Sequence, residues 1–325
     1  MSASHLLTLA ADGPAGLSSN SWLGIGTVSL FALLLLFDYL TRAGTIARAT
    51  TKEAVRQPVF LLLSVLAILL IGANFYVPFF SLGEDTKMFI DCGLATILIT
   101  ALLLSVWTAS MSVADEIEGK TAMTLLSKPI TRRQFVFGKY VGIAQAALLL
   151  IIVAGAVFVV LTYFKFGYDR KESGQTPPDM YVTTELWGRE VPMPEAERLS
   201  VASKILPALT LIFMEVAVMT AVSVAISTRL PMLVNIVVCF TIFVIAHLTP
   251  VLVESTFAGL PPVQLLAQLL ATVLPNLESF NMSAAVATGV DIPLDYIGLS
   301  AAYSVVYIAA AVLLAFILFE DRDLA

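Results

Sequence analysis

Charge is scarce in this sequence. Only 13% of its 325 residues are Asp, Glu, Lys or Arg, and 58% are hydrophobic; an ordinary soluble domain is about 25% charged. That balance excludes a soluble globular chain and reads as a membrane protein. Cysteine is almost absent: Cys92 and Cys239 lie far apart inside apolar segments, which excludes a disulfide framework or a cysteine metal site. His5 and His247 are the only histidines, so no nucleophile, base and metal-ligand set comes together for an enzyme. Residues 1 to 20 hold no Lys or Arg and so lack the basic start of a secretory signal peptide. Nothing in the chain supports nucleic-acid binding, which needs a basic patch.

What the sequence has instead is long apolar runs. A helix crosses the hydrocarbon core with about 20 apolar residues, and seven runs of that order are expected to span: 21 to 41, 58 to 80, 88 to 111, 135 to 164, 203 to 228, 232 to 253 and 296 to 319. An eighth stretch, 260 to 288, is interrupted by Pro261, Pro262, Pro275, Asn276, Glu278 and Asn281. It reads as two half-helices, because backbone freed at a break must be covered by protein or water.

Orientation follows from the basic residues beside the spans. Arg42, Arg48, Lys52 and Arg56 follow the first run, and Lys120, Lys128, Arg132, Arg133 and Lys139 lie between the third and fourth. Both loops are expected to be cytoplasmic, with the N-terminal tail of residues 1 to 20 outside and the C-terminus inside. Residues 254 to 295 contain no Lys or Arg and fall outside. The loop 165 to 202 falls there too, although it carries Lys165, Arg170, Lys171, Arg189 and Arg198. Acidic neighbours balance these, and Lys165 is expected to snorkel from a helix end. Within that loop Tyr181 to Leu186 is read as either a short strand or plain connecting chain, from its β-branched and aromatic content.

Ala114 to Thr121 satisfies the loosest form of a phosphate-binding P-loop, ending in Gly119-Lys120-Thr121. The context excludes it. A working P-loop follows a buried strand and offers bare backbone N–H groups to phosphate. This stretch follows a membrane run, and Asp115, Glu116 and Glu118 would repel the anion. Its pattern fits a short helix closed at Lys128-Pro129, then a second helix from about Arg132 with Thr131 and Gln134 as a capping box. Two arginines in a first helical turn oppose the helix dipole and need a reason: anionic headgroups, or a partner.

The run "DEIEGKTAMTLLSKPITRRQFVFGKYVG" resembles the signature that follows the second core span of type-2 ABC transporter permeases. "LPNLESFN" at 274 to 281 and "FEDRDL" at 319 to 324 are similar to two further segments of that family. The branch linked to copper-enzyme maturation and to multidrug or antibiotic export is nearest. The fold class expected is an all-α integral membrane protein: a six-span exporter-like core over 58 to 325, one extra N-terminal span at 21 to 41, and an outer re-entrant helical pair at 260 to 288.

The resemblance implies a permease that forms a dimer, as homodimer or heterodimer, in the inner membrane. It would bind no cofactor itself, and ATP and magnesium would enter through separate ABC ATPase subunits at the cytoplasmic face. Carried over, 42 to 57 matches the family's amphipathic surface helix, and Arg48, Lys52 and Arg56 recur every four residues on one face, as such a helix requires. Residues 112 to 134 match its cytoplasmic coupling segment, with Asp115, Glu116, Glu118 and Lys120 as polar contacts to the ATPase and Leu125 and Leu126 as apolar ones. Arg132 and Arg133 are read as membrane-surface residues.

Polar residues inside spans are the other candidates: Glu215, Asn74, Asn235 and His247, with Asp91 near an outer end. A charge at the bilayer centre costs about 2.5–3.5 kcal/mol on insertion scales, so Glu215 is expected to line a path, carry a proton or tie helices together. Met214 and Met219 are read as packing residues. Two readings stand beside the permease: a proton-coupled secondary transporter using Glu215 and Asp91, and a membrane anchor or sensor that borrows an ATPase without transport.

Overall fold

The computed structural model describes residues 26, 29, 33, 34, 36–76, 85–114, 131–186, 189–254 and 261–320. Its elements run α1 (Arg42–Arg56), α2 (Pro58–Tyr76), α3 (Asp85–Ala109), α4 (Arg132–Glu172), β1 (Tyr181–Leu186), β2 (Arg189–Pro194), α5 (Ala196–Ser203), α6 (Ile205–Ser227), α7 (Met232–Glu254), α8 (Pro261–Val273), α9 (Ser283–Ala287) and α10 (Leu294–Glu320). Among the described residues six helical segments are long and apolar enough to cross a bilayer: α2, α3, α4, α5 with α6, α7 and α10. They coincide with the six expected spans from residue 58 onward, and the chain is an all-α, multi-pass membrane protein. Within the expected extra span at 21 to 41 the described residues as far as Leu40 are helical, and Thr41 is the extended N-cap of α1.

Position within the bundle follows from how apolar each helix is all round. The segment Ala196–Ser227 is the most enclosed, and α2, α7 and α10 are the least. These three present Leu61, Leu69, Leu233, Val237, Val306 and Leu313 outward, as helices in contact with lipid do. Between them one large core joins α2, α3, α4 and α6, with Phe89, Phe158, Leu94 and Leu211 fully enclosed. Gly93 makes room for that packing, since a Cβ there would stand 2.2 Å from the Phe158 ring.

Helix α4 has 41 residues, about 60 Å at 1.5 Å per residue, twice the hydrocarbon thickness of about 30 Å. The helix is therefore longer than the apolar layer is thick. At the first end the expected capping box is present: Thr131 Oγ1 accepts from Gln134 N at 3.3 Å and Gln134 Oε1 accepts from Thr131 N at 3.1 Å. Helix α1 lies along this end of α4. Its small face, Ala43, Ala47, Thr50 and Ala54, is buried against Gly138 and Gly142, where a Cβ would come within 2.6 Å of the carbonyl oxygens of Ala43 and Ala47.

At the other end α4 continues past Lys165, which corrects the expectation of a helix end and a snorkelling side chain. Lys165 is 1% exposed; its Nζ donates to the Phe75 carbonyl at 3.1 Å and lies over the Tyr168 ring. One turn on, Asp169 accepts from Thr86 N and Oγ1 at 3.3 and 2.8 Å, placing a carboxylate at the first turn of α3, where the dipole favours it. The segment after α4 forms an antiparallel hairpin with Tyr181 opposite Pro194, so the strand alternative at Tyr181 to Leu186 is the one realised. Buried Arg198 anchors it, donating to the carbonyls of Pro178 at 2.7 Å and Tyr163 at 3.3 Å.

Residues 260 to 288 contain the expected break. Helix α8 ends at Val273, a 3-10 turn covers Glu278–Phe280, and α9 follows. Three tyrosines of α10 serve its freed backbone groups: Tyr307 donates to Val273 O at 3.0 Å, Tyr303 Oη accepts from Asn276 N at 2.8 Å, and Tyr296 donates to Ser279 O at 2.6 Å.

Candidate functional site

Glu215 lies midway along α6, the most enclosed span, and is 1% exposed. It borders a cleft of about 260 Å³ between α3, α6, α7 and the break before α9, lined by Leu94, Leu98, Ile212, Phe243, Phe280 and Met282, with His247 and Asn281 at its polar side. His247 Nε2 stands 3.3 Å from Glu215 Oε1, and Oε1 has no aligned hydrogen bond. Spacing on α7 holds the imidazole: Nδ1 is 3.1 Å from the carbonyl oxygen of Phe243, one turn earlier, and the two ring centroids lie 4.5 Å apart with the planes tilted by 54°. A carbonyl only accepts, so Nδ1 carries the hydrogen. The neutral ring then presents the Nε2 lone pair to the carboxylate. The approach is attractive only with a proton between them, as carboxylate and imidazolium or as carboxylic acid and imidazole.

A second polar cluster lies toward the α1 end. Asn235, fully buried on α7, donates from Nδ2 to Ser110 Oγ at 2.8 Å and Ser223 Oγ at 3.1 Å, while its Oδ1 accepts from Cys239 Sγ at 3.3 Å. Ser110 opens a π-helical turn, Ser110–Ala114, that ends α3. Lys139 on α4, 3% exposed, grips the same turn by donating to Ser112 Oγ at 2.8 Å, and its Nζ is 4.0 Å from Glu53 on α1. Turns of this kind interrupt the regular ladder and recur where a helix must be adjustable.

Of the residues singled out from sequence, Glu215 and His247 come together and Asn235 joins the second cluster. Asn74 is half-buried on α2 apart from both, and Asp91 is exposed on α3 and does not line the cleft. Met219 is enclosed in the core, as a packing residue should be. Lys52 and Arg56 are exposed on α1, while Arg48 is half-buried with its guanidinium 4.4 Å above the Tyr39 ring. Asp115, Glu116, Glu118, Lys120, Leu125 and Leu126 lie outside the described residues.

Arg132 and Arg133 find their reason within the chain. Arg132 Nη1 donates to the carbonyls of Phe319 and Glu320, at 3.3 and 3.0 Å, at the carbonyl end of α10. Arg133 lies 3.4 Å from the Glu320 carboxylate. The negative pole of one helix thus offsets the positive pole of another. Lys139, Asp169 and Arg198 carry no local signal of their roles, since their partners lie up to 86 residues away along the chain.

No curated protein matches this chain significantly. Residues 44–324 match the family model described as "ABC-2 family transporter protein", and this stretch holds all six spans. With that match over most of its length, the chain belongs to the ABC-2 family of transporter proteins, as a membrane-spanning permease component.

Proposed function

We propose that this chain forms the translocation path of an ATP-driven exporter, working as a dimer with separate ATPase subunits that bind its cytoplasmic face. The observation that carries the reading is the coincidence of the family match at 44–324 with the six spans. The end of the bundle holding α1 and the start of α4 is then cytoplasmic, in keeping with its basic residues, and the hairpin end lies outside the inner membrane. Residues 115 to 130 take the ATPase contact, with Asp115, Glu116, Glu118 and Lys120 as its polar part. The π-helical turn before them and Arg132 after them are both fastened to the bundle. A push on this segment would reach α3 and α4 together, which suits a rigid-body mechanism. ATP and magnesium act through the partner.

The test is copurification from membranes. An associated soluble ATPase is expected with the wild-type chain, and Glu116→Lys with Glu118→Lys should lose it while the chain stays inserted. Association unchanged by the charge reversal would remove the segment from the interface. Transport in proteoliposomes that appears only with the ATPase and ATP separates this reading from an anchor or sensor and from a proton-coupled carrier.

A further inference from the structure

The cleft beside Glu215 has the chemistry of a ligand site. We infer that it binds a small organic cation with an apolar body, with the Glu215 carboxylate as counter-charge, and that the cation takes the place of a proton on Glu215. The inference rests on the permease reading, for which it names the class of cargo.

Charge balance comes first. The Glu215 side chain is enclosed by protein, and Oε1 has no aligned donor. An uncompensated carboxylate in such surroundings is costly, so the site requires one positive charge, as a proton or as a ligand. No Lys or Arg is among the described residues lining the cleft, so an anionic ligand finds no partner there. The remaining charged groups nearby belong to the break: Glu278, exposed, accepts weakly from Asn281 Nδ2 at 3.4 Å. It adds to the negative character of the opening. The α3 wall, Leu94, Ala95, Leu98 and Ile99, is entirely apolar, and α6 adds Ala208 and Ile212.

Shape and surface come second. The apolar wall suits a hydrocarbon body, and Phe243 and Phe280 bring aromatic rings to the same space as the carboxylate, the combination that holds ammonium groups. The volume of about 260 Å³ is on the scale of a small ligand rather than a peptide or a lipid. With the acid form of the pair as starting state, the exchange balances: the cation enters, Glu215 gives up its proton to solvent, and His247 stays neutral with Nδ1–H on the Phe243 carbonyl.

The experiment uses the full chain purified in detergent, without any ATPase, and benzyltrimethylammonium as the probe. Its permanent charge cannot be a proton source. Calorimetric titration in two buffers of different ionisation enthalpy gives both the affinity and the protons released. Saturable binding that strengthens as pH rises, with release of up to a proton per cation, supports the site. Glu215→Gln should weaken binding by about tenfold or more and abolish the release. Leu98→Trp, which fills the cleft and leaves the carboxylate in place, should weaken binding to a similar extent and guards against a Glu215 variant that fails to fold. Absence of saturable binding, binding that neither variant weakens, or equal binding of benzenesulfonate overturns the inference. Because no ATPase is present, these outcomes are independent of those in the copurification test.

Discussion

Lys139 Nζ reaches Ser112 Oγ across 2.8 Å, with the lysine 3% exposed and the serine 2%. An ammonium group enclosed to this degree needs acceptors, and Ser112 is one of them. Ser112→Ala takes it away and is expected to destabilise the chain by about 1–3 kcal/mol. Replacing both partners, as Lys139→Met with Ser112→Ala, removes the buried charge together with its need, and should recover much of the loss. Thermal unfolding in detergent of the two single variants and the pair reads this directly. A pair less stable than both singles would mean that the lysine acts mainly through Glu53 and α1.

A second expectation concerns the seat of α1. Gly138 and Gly142 face the carbonyls of Ala43 and Ala47 so closely that a Cβ would come within 2.6 Å of backbone oxygen. Backbone cannot turn aside as a side chain does, so Gly142→Val must lift α1 from α4 at a cost of about 1–3 kcal/mol. Lys52 and Arg56 ride on α1 and are already exposed, but trypsin cuts only where the local helix opens. Cleavage after these residues should therefore quicken in Gly142→Val, while Gly72→Val, on α2 with open space at its Cβ, should leave it unchanged.

The fold was largely legible because its signal is local. A run of apolar residues defines a span without reference to its neighbours, and α7 and α10 begin and end within two residues of the expected limits. The capping box at Thr131 and the break near Pro275 were legible for the same reason. What the sequence hid was pairing. Glu215 and His247 each stood out as polar residues in apolar runs, yet only the packing of α6 beside α7 sets them 3.3 Å apart. The contacts of Arg132 and Arg133 with the end of α10 leave no local trace, because that end lies 187 residues further along the chain. Lys165 was read as a helix terminus because its apolar run fades there, whereas polar partners carry α4 on to Glu172.

The two arginines at the start of α4 should differ in weight. Arg132 places its guanidinium on the last carbonyls of α10, at 3.3 and 3.0 Å, where the acceptors have no helical donor of their own. Arg133 and Glu320 form a pair whose side chains are 70% and 63% exposed, and exposed pairs contribute about 0–1 kcal/mol. Arg132→Gln is expected to cost about 1–2 kcal/mol, and Arg133→Gln less than half of that. Melting temperatures at low and high salt separate the two, since only the Arg133 effect should fade when salt is raised. Equal losses would show that both residues act through general charge at this end of the bundle.

The tyrosines of α10 give the last expectation. Tyr303 accepts the Asn276 N–H at 2.8 Å, whereas Tyr296 and Tyr307 donate to the carbonyls of Ser279 and Val273. A carbonyl has two lone pairs and tolerates a lost donor, while a backbone N–H has a single hydrogen and is seldom left without a partner. Tyr303→Phe should therefore cost more than Tyr296→Phe or Tyr307→Phe, within a range of about 0.6–2 kcal/mol for hydrogen bonds between membrane segments. The break these residues hold carries Phe280 and Met282 into the cleft wall, so loosening it should weaken binding of benzyltrimethylammonium as well as lower the melting temperature. If Tyr303→Phe lowers stability and leaves cation affinity as it was, the break is a structural closure of the bundle and the cleft is shaped by α3, α6 and α7 alone.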